Sequence, residues 1–151
     1  MRLRLYIDTS VIGGCFDEEF SEFSLKLIDE FKTGNKIINI SDLTLEELEN
    51  APSEVREVLK QIPDDNIEYL SLDEEAIILA ERYIKEKIVS SKYLLDAQHI
   101  AIATVNRSDV LVSWNFKHIV NLRRIHLYNS INLKYGYPLI EIRSPREVIN
   151  E

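Results

Sequence analysis

Asp8 is an acidic residue directly after the short apolar stretch 3–7 that opens the chain. Such a stretch is typical of a strand inside a parallel sheet, and ligands bind at the carboxyl ends of such strands. Together with other acids, Asp8 could therefore hold a divalent cation that assists phosphodiester chemistry. The alternative role is structural, because aspartate also caps the amino end of a helix. Asp8 alone is compatible with both roles.

Asp96 is the only acid between residues 87 and 108, a stretch of apolar, polar and basic residues. Ala97, Ile100 and Ala101 follow it at helical spacing, which predicts that Asp96 lies in the first turn of a helix. The helix dipole favours a carboxylate there, typically by about 0.3–1 kcal/mol. However, an acid on a largely buried helix needs a partner, because an unpaired buried charge costs several kcal/mol. A metal ion would be such a partner.

Three glutamates, Glu46, Glu47 and Glu49, lie in a predicted helix after the second predicted strand. Leu45 and Leu48 define the buried face of this helix, and at about 100° per residue Glu49 lies closest to that face. Glu46 and Glu47 each lie farther round, on opposite sides. Periodicity therefore selects none of the three, and solvated surface is the default interpretation for each.

A second polar strand end follows residues 110–113, where Trp114 and Asn115 come after an apolar run. Asn115 can offer a neutral oxygen to a metal, a metal-bound water or a phosphate, but no negative charge. Trp114 is expected to pack at the rim of the sheet rather than to stack on a base. His99 lies three residues after Asp96 on the same helical face, and a satisfied polar contact near the site is its expected role.

The elements that would position these side chains alternate between strands and helices. Strands are predicted at residues 3–7, 36–40, 67–70, 110–113 and 139–142. The segments between them show helical periodicity, with a capping box of Ser71 and Glu74 and with a helix opened by Ser90 or Ser91. This alternation favours an α/β fold in which helices flank a parallel sheet.

Composition limits the possible classes of protein. The chain has 151 residues, of which 45% are hydrophobic and 29% charged, as expected for one globular domain. Its formal net charge of −8 argues against a general nucleic-acid coat protein, but not against a nuclease whose acids hold metal ions. One late stretch of the chain is basic and could contact a phosphate backbone, although a solvated helix face is the simpler interpretation. Its basic residues are Lys117, His118, Arg123, Arg124 and His126.

Two further observations concern location. No apolar run approaches the roughly 18 residues of a membrane span, and no secretory signal precedes the first predicted strand. Cys15 is the only cysteine, so neither an intrachain disulfide nor a thiolate zinc site can form. We therefore expect a cytoplasmic protein without a membrane partner.

Five short blocks resemble, in order, those of the PIN-domain ribonucleases, a family that includes the toxins of VapC type. The blocks are residues 7–12 (IDTSVI), 40–48 (ISDLTLEEL), 96–101 (DAQHIA), 111–115 (LVSWN) and 142–149 (IRSPREVI). Together they span nearly the whole chain. The resemblance implies one PIN-like domain over residues 1–151, folded as a three-layer α/β/α sandwich with a central, mainly parallel sheet of about five strands.

The resemblance also implies roles for individual residues. Asp8 matches the first metal-binding acid of the family, and Asp96 matches the principal later one. Glu47 occupies the acid position before leucine in the second block, so it is the preferred glutamate. Asn115 matches a catalytic position that is aspartate in many members and asparagine in others. The number of bound metal ions, one or two, stays open for that reason.

These roles imply a metal-dependent endoribonuclease in which Asp8, Glu47 and Asp96 bind Mg²⁺ or Mn²⁺ through hard oxygen ligands. Thr9 or Ser10 corresponds to a hydroxyl that supports the first aspartate. The expected partners, again by resemblance, are an RNA substrate and a cognate antitoxin that inserts a basic residue among the acids. A homodimer is also expected, and the role would be that of the toxin in a toxin–antitoxin pair.

Two other functional classes stay open. A PIN-like module that binds RNA or protein and cuts weakly or not at all is consistent with Asn115 and with the acidic composition. A phosphatase of the haloacid dehalogenase type would use Asp8 as a nucleophile. Such enzymes usually have a second aspartate two residues later, where this chain has Ser10. An aspartyl-phosphate on Asp8 would identify the phosphatase, and metal-dependent RNA cleavage would identify the nuclease.

Overall fold

The computed structural model describes residues 1–149, in which five strands alternate with helices. The strands are β1 (Arg4–Ile7), β2 (Ile37–Ser41), β3 (Ile67–Leu70), β4 (Val110–Val112) and β5 (Glu141–Arg143). The helices are α1 (Thr9–Gly14), α2 (Ser21–Lys32), α3 (Asp42–Glu49), α4 (Ser53–Lys60), α5 (Glu74–Lys85), α6 (Leu94–Val105), α7 (Leu122–Lys134) and α8 (Pro145–Val148). All five predicted strands are present, with ends displaced by at most two residues.

The sheet is parallel throughout, with the strand order β3-β2-β1-β4-β5. The central strand β1 pairs with β2 on one side and with β4 on the other, so that Leu5 lies opposite both Ile38 and Val110. The chain builds the sheet outward from β1 in one direction and then returns to the other side of β1. Such a reversal of strand order opens a crevice at the carboxyl ends of the two strands involved, here β1 and β4.

A separate hydrophobic core covers each face of the sheet. Leu5 and Ile7 of β1 pack in the core formed with α1, α2 and α4, whereas Tyr6 packs in the core formed with α5, α6 and α7. All three side chains are fully buried, as expected for a strand whose alternating side chains face two covered surfaces. The predicted three-layer α/β/α arrangement is confirmed.

Two predicted helix starts are wrong. Helix α5 is capped by Asp73, whose carboxylate accepts a hydrogen bond from the Ala76 N–H, and not by Ser71. Either residue type can cap a helix, and the chain enters the helix only after Asp73. A single 3-10 turn, Ser91–Tyr93, follows Ser90, so α6 begins later, at Leu94 and without a side-chain cap.

Within residues 1–149, no helix combines the length with the apolar character that crossing a lipid bilayer requires.

Candidate active site

Asp8 lies in the crevice between β1 and β4 and also caps a helix. Its side chain is 5% exposed. Oδ1 accepts hydrogen bonds from the Ser10 hydroxyl at 2.6 Å and from the Val11 N–H of α1 at 3.4 Å. Oδ2 accepts a hydrogen bond from the Ser113 hydroxyl at 2.6 Å. The two roles considered for Asp8 from the sequence are therefore compatible, because one oxygen serves the helix and the other faces the end of β4.

Two serine hydroxyls fix Asp8 to the segment after β4. Ser10 Oγ accepts a hydrogen bond from the Trp114 N–H at 3.0 Å, and Ser113 Oγ accepts one from the Asn115 N–H at 2.9 Å. Burial raises the pKa of the Asp8 carboxyl, and these hydroxyl donors partly oppose that rise. Ser113 was not among the predicted site residues. Its place as the first polar residue after β4 was the available signal.

Glu47 is the glutamate of α3 that faces the candidate site. Its Oε1 accepts hydrogen bonds from the Thr9 hydroxyl at 2.8 Å and from His99 Nε2 at 2.8 Å. Glu46 and Glu49 are exposed. Burial raises the pKa of Glu47, but the hydrogen bonds from His99 and Thr9 act against it and hold the pKa below its ordinary value. The two hydroxyls after Asp8 thus donate to different acids, Ser10 to Asp8 and Thr9 to Glu47.

The predicted buried face of α3 is wrong, which explains why periodicity could not select this glutamate. Leu45 is 38% exposed; the buried residues are Leu43, Thr44 and Leu48. With Leu43 as origin and about 100° per residue, these three residues centre near 80°. Glu47 then lies about 40° from the centre of the buried face. The exposed glutamates of the helix lie about 140° or more from it.

A chain of hydrogen bonds runs from the core to Glu47 through His99. His99 is buried, and its Nδ1 lies 2.6 Å from the Tyr6 hydroxyl, which lies 2.8 Å from Ser41 Oγ. Ser41 Oγ accepts a hydrogen bond from the Thr44 N–H at 3.1 Å. Burial raises the pKa of Tyr6, so its hydroxyl stays protonated. Because the Glu47 carboxylate can only accept, His99 donates to it from Nε2. The predicted polar contact of His99 is confirmed.

Asp96 lies in the first turn of α6, as predicted, and is partly buried. No group within residues 1–149 donates a hydrogen bond to its carboxylate. Burial raises its pKa; the nearby histidines, His99 and His118, oppose the rise, and the negative charges of Asp8 and Glu47 add to it. Asp96 is thus an acid without a hydrogen-bond donor, in electrostatic contact with the other two predicted metal ligands.

Two more polar groups on this side of the sheet lack partners. His118 stacks on Tyr93 with ring centroids 3.8 Å apart, and its buried Nδ1 has no hydrogen bond within residues 1–149. The buried Tyr128 hydroxyl has none either. Burial raises the pKa of Tyr128, and the charge of Asp96 raises it further. Buried polar atoms without a partner are costly, so they often mark the place of a ligand or water.

Asn115 closes a turn after β4. Its Oδ1 accepts a hydrogen bond from the His118 N–H at 3.0 Å, and its main-chain carbonyl accepts from Ile119 and Val120 at 3.2 and 2.8 Å. The side-chain oxygen suggested for a metal or phosphate is therefore already engaged. The amide nitrogen forms no hydrogen bond within residues 1–149, which leaves Asn115 as a potential donor to a ligand.

The remaining predicted features lie around this centre. Trp114 is 8% exposed and stacks on Phe20 with ring centroids 4.3 Å apart, which confirms its packing at the rim. The late basic stretch does not act as one patch, because Arg124 turns its guanidinium to the Ile88 carbonyl. Its exposed members are Lys117, Arg123 and His126.

The donor set fits a hard divalent cation. Asp8, Glu47 and Asp96 together offer carboxylate oxygens, which Mg²⁺ and Mn²⁺ prefer, and Asp96 has no other donor bound to it. Within residues 1–149, no three His, Cys, Asp or Glu side chains already stand in metal-binding geometry. The carboxylates of two of the three acids are engaged in hydrogen bonds, Glu47 with Thr9 and His99 and Asp8 with serine hydroxyls.

Comparison with known structures agrees with this fold. VapBC2 from Rickettsia felis, bound to a DNA fragment from its promoter, is 15% identical with a TM-score of 0.54, over 94% of this chain and 98% of that one. DNA-bound VapBC from Salmonella typhimurium is 19% identical with a TM-score of 0.55, over 95% of this chain and 98% of that one. VapC20 from Mycobacterium tuberculosis, a Sarcin-Ricin loop cleaving toxin, is 10% identical with a TM-score of 0.57, over 91% and 98%. At these identities, the likeness establishes the fold alone.

The sequence itself identifies the family. No curated protein sequence matches the chain significantly. The family model of the PIN domain, however, matches residues 5–117, which is well over half of the chain. The match includes the ends of β1, β2 and β4 and the first turn of α6, and it leaves the haloacid dehalogenase alternative without support. The chain belongs to the PIN-domain family.

Proposed function

We propose that this protein is a metal-dependent endoribonuclease that cleaves RNA phosphodiester bonds. The observation that supports this proposal is that, in a PIN-domain chain, hydrogen bonds orient the carboxylates of Asp8 and Glu47, whose charges act on the partly buried Asp96. The three acids come from the end of β1, from α3 and from α6. Burial raises the pKa of Asp8 and of Asp96, and the negative charges of Asp8 and Glu47 raise the pKa of Asp96 further. A divalent cation would stabilise the ionised forms of both aspartates.

The proposed ligands of Mg²⁺ or Mn²⁺ are Asp8, Glu47 and Asp96. When bound, such an ion acts as a Lewis acid toward the phosphodiester and makes water a better nucleophile. The protein holds two of the three carboxylates in place: serine hydroxyls orient Asp8, and His99 with Thr9 orients Glu47. Because the pKa of Glu47 is lowered, this carboxylate stays ionised under neutral conditions.

Two groups next to the acids suit an RNA phosphate. The Asn115 amide can donate a hydrogen bond to a phosphate oxygen. His118 is partly exposed, and its Nδ1 forms no hydrogen bond within residues 1–149. We assign these residues to substrate positioning, because donors directed at phosphate oxygens stabilise the charge that develops during cleavage.

The proposed biological role is that of the toxin in a toxin–antitoxin pair. The structures from Rickettsia felis and Salmonella typhimurium are VapBC complexes, and the protein from Mycobacterium tuberculosis is a toxin. By analogy, a cognate antitoxin would cover the site and insert a basic residue among the acids. We further propose a homodimer and a cytoplasmic location. Size-exclusion chromatography with light scattering should give a dimer, and a monomer at all micromolar concentrations would contradict it.

Cleavage of a mixed RNA pool tests the nuclease. Highly purified protein is incubated with Mg²⁺ or Mn²⁺, with EDTA as the control and with Asp8→Asn and Asp96→Asn prepared in parallel. We expect metal-dependent products from the wild type and none from either variant. Products that persist in both variants would indicate a contaminant or a different site, and would overturn the assignment of these acids.

One observation favours a second candidate, a PIN-like module that binds RNA or protein and cuts weakly or not at all. Asn115 is neutral, and its side-chain oxygen is engaged by the His118 N–H. This candidate predicts that the wild type retains RNA and binds Mn²⁺ but yields no products. The cleavage assay separates the two, since metal-dependent turnover that both acid variants abolish would exclude the module.

A further inference from the structure

An aromatic groove lies beside the candidate site, between α2, the segment after β4 and α8. It encloses about 400 Å³. We define it by its aromatic and basic residues; the remaining lining residues are Glu19, Ser144 and Glu147. The residues that define it are Phe20, Phe23, Trp114, Phe116 and Arg146.

Ring stacking and a hydrogen bond hold the wall of the groove, and one half-exposed aromatic ring packs against it. Trp114 stacks on Phe20 and donates a hydrogen bond from Nε1 to Ser24 Oγ at 2.8 Å. Phe116 packs edge-on against Trp114, with ring centroids 6.1 Å apart, yet it is 50% exposed. Phe116 is therefore a half-exposed aromatic ring that packs against a buried one.

One cation lines the groove, and a second lies over one of its aromatic rings. The guanidinium of Arg146 lies 5.2 Å from the centroid of the Phe23 ring, and the Lys26 ammonium lies 5.4 Å from the same centroid. Neither cation forms a salt bridge within residues 1–149. Of the two acids that line the groove, Glu147 is engaged, because its Oε1 accepts hydrogen bonds from Ser144. The groove thus combines exposed aromatic surface with one lining cation, Arg146, that forms no salt bridge within residues 1–149.

The groove is continuous with the predicted catalytic acids. The Trp114 N–H donates to Ser10 Oγ at 3.0 Å, and the Ser10 hydroxyl donates to Asp8 at 2.6 Å. Trp114 and Phe116 also flank Asn115 in the sequence. A strand of nucleic acid that crosses the acids can therefore reach the groove with a neighbouring nucleotide.

We propose that the aromatic groove binds a nucleotide next to the cleavage position of single-stranded RNA, with its base stacked on Phe116 and its phosphate contacted by Arg146. This inference rests on the proposed ribonuclease function. Single-stranded nucleic acids are bound in this way, by stacking on aromatic rings next to cations that follow the backbone. The groove would make the enzyme prefer unpaired RNA, because bases in a duplex are stacked on each other and cannot reach Phe116.

Trp114 provides the measurement, because it is the only tryptophan of the chain and lies in the groove wall. The full chain carrying Asp96→Asn, which prevents cleavage and weakens repulsion of phosphate, is titrated with oligouridylate of about 12 nucleotides, within the usual range of site sizes. We expect saturable quenching by the single strand and little response to a duplex of the same length.

Two substitutions test the two contacts. Phe116→Ala should weaken binding of oligouridylate roughly 5- to 150-fold, the range measured for the loss of one stacked base. Arg146→Gln should lower the slope of log Kd against log salt by about 0.7, the value for one contact to a single strand. Thermal unfolding of each variant verifies that the fold is retained.

Two control substitutions remove a comparable apolar side chain and a comparable cation outside the groove. Leu139→Ala truncates a side chain that is 61% exposed at the opposite end of the sheet, just before β5. Lys60→Gln removes an exposed cation of α4. We expect neither change to alter the affinity or its salt dependence.

Two results would refute RNA binding by the groove. One is an affinity of Phe116→Ala for oligouridylate equal to that of the parent chain. The other is quenching of Trp114 that responds to a cognate antitoxin or to protein concentration but not to RNA. Failure of the nuclease gives a different pattern. RNA binding that depends on Phe116, without cleavage by the wild type, would refute the ribonuclease function and support RNA binding by the groove. RNA cleavage by Phe116→Ala with an unchanged KM would support the ribonuclease function and refute RNA binding by the groove.

Discussion

Glu47 depends on a hydrogen-bond chain that begins in the core. When His99 is neutral, each donor has one acceptor: Ser41 donates to Tyr6, Tyr6 to Nδ1 of His99, and Nε2 of His99 to Glu47. Because the Glu47 carboxylate can only accept, it places the proton of a neutral His99 on Nε2, and the Tyr6 hydroxyl holds the ring in this orientation by donating to Nδ1. Groups that orient a metal ligand in this way usually affect metal affinity as well as stability.

Tyr6→Phe tests this chain. The change leaves buried atoms of Ser41 and His99 without their partner, so we expect a loss of about 1–3 kcal/mol in the free energy of unfolding. We also expect affinity for Mn²⁺ to fall roughly 10- to 100-fold. Urea unfolding and calorimetric titration measure the two effects.

The matched control is Tyr83→Phe, which also removes a buried tyrosine hydroxyl. Tyr83 donates to Asn132 in the core between α5 and α7 and forms no hydrogen bond with any of the three acids within residues 1–149. The Tyr83→Phe variant should be less stable than the wild type but bind Mn²⁺ with the same affinity. Equal Mn²⁺ affinity in Tyr6→Phe and the wild type would contradict a role for the chain in metal binding.

Asp96 makes stability depend on pH. Because burial raises its pKa above the ordinary value of about 3.9, the folded protein holds this proton more tightly than the unfolded chain. The carboxylate therefore destabilises the protein as the pH rises through the raised pKa, and the penalty vanishes below about pH 4. In EDTA, Asp96→Asn should raise Tm at pH 7, and the advantage should shrink as the pH falls toward 4.

Thermal scans across this range check the prediction, with the exposed Glu46→Gln as the control. A difference in Tm between Asp96→Asn and the wild type that is the same at pH 4 and pH 7 would contradict it. The expected pattern also implies that Asp96 is kept at a thermodynamic disadvantage, as functional acids often are.

At the scale of elements, α1 and the segment after β4 meet at Gly14. A Cβ atom at Gly14 would lie 2.6 Å from Ser24 Oγ and 2.7 Å from Trp114 Nε1, closer than side-chain atoms approach. The hydrogen bond between Trp114 and Ser24 thus requires glycine at this position. Gly13, its neighbour in the same helix, has no such contact within 4 Å.

Gly14→Ala should therefore push Trp114 from its place and destabilise the protein by about 1–3 kcal/mol, as overpacking does. Gly13→Ala is the matched control and should be neutral or stabilising by up to about 1 kcal/mol, because alanine favours a helix. Urea unfolding gives the energies, and the emission of Trp114 reports its displacement. A stable Gly14→Ala with native emission would show that the wall of the groove is not tightly packed.

The sequence predicted elements better than contacts between them. Buried parallel strands form short apolar runs, so all five were visible, and Asp8 and Asp96 stood out as acids in apolar surroundings. The contact between Asp8 and Ser113 was not visible, because it depends on β4 lying beside β1. Helix α3 shows a third case: Leu45 seemed to define a buried face, but the helix buries Thr44 instead, and only the packing reveals this.

At the scale of the whole molecule, a metal ion that binds the folded chain and not the unfolded one stabilises the fold by mass action. Mn²⁺ at about 100 times its Kd should stabilise the wild type by about 2.7 kcal/mol, or roughly 5–10 °C in Tm for a chain of this size. Asp8→Asn should lose most of this shift. An equal shift in the variant would locate the metal elsewhere on the acidic surface.

The hydrogen bond between Asp8 and Ser113 joins residues that are 105 positions apart. During synthesis the hydroxyl that fixes Asp8 is therefore added 105 residues after Asp8 itself. A chain that terminates before β4 lacks both this hydroxyl and the strand that lies beside β1. We therefore expect such a fragment to leave the Asp8 carboxylate without the partner that orients it.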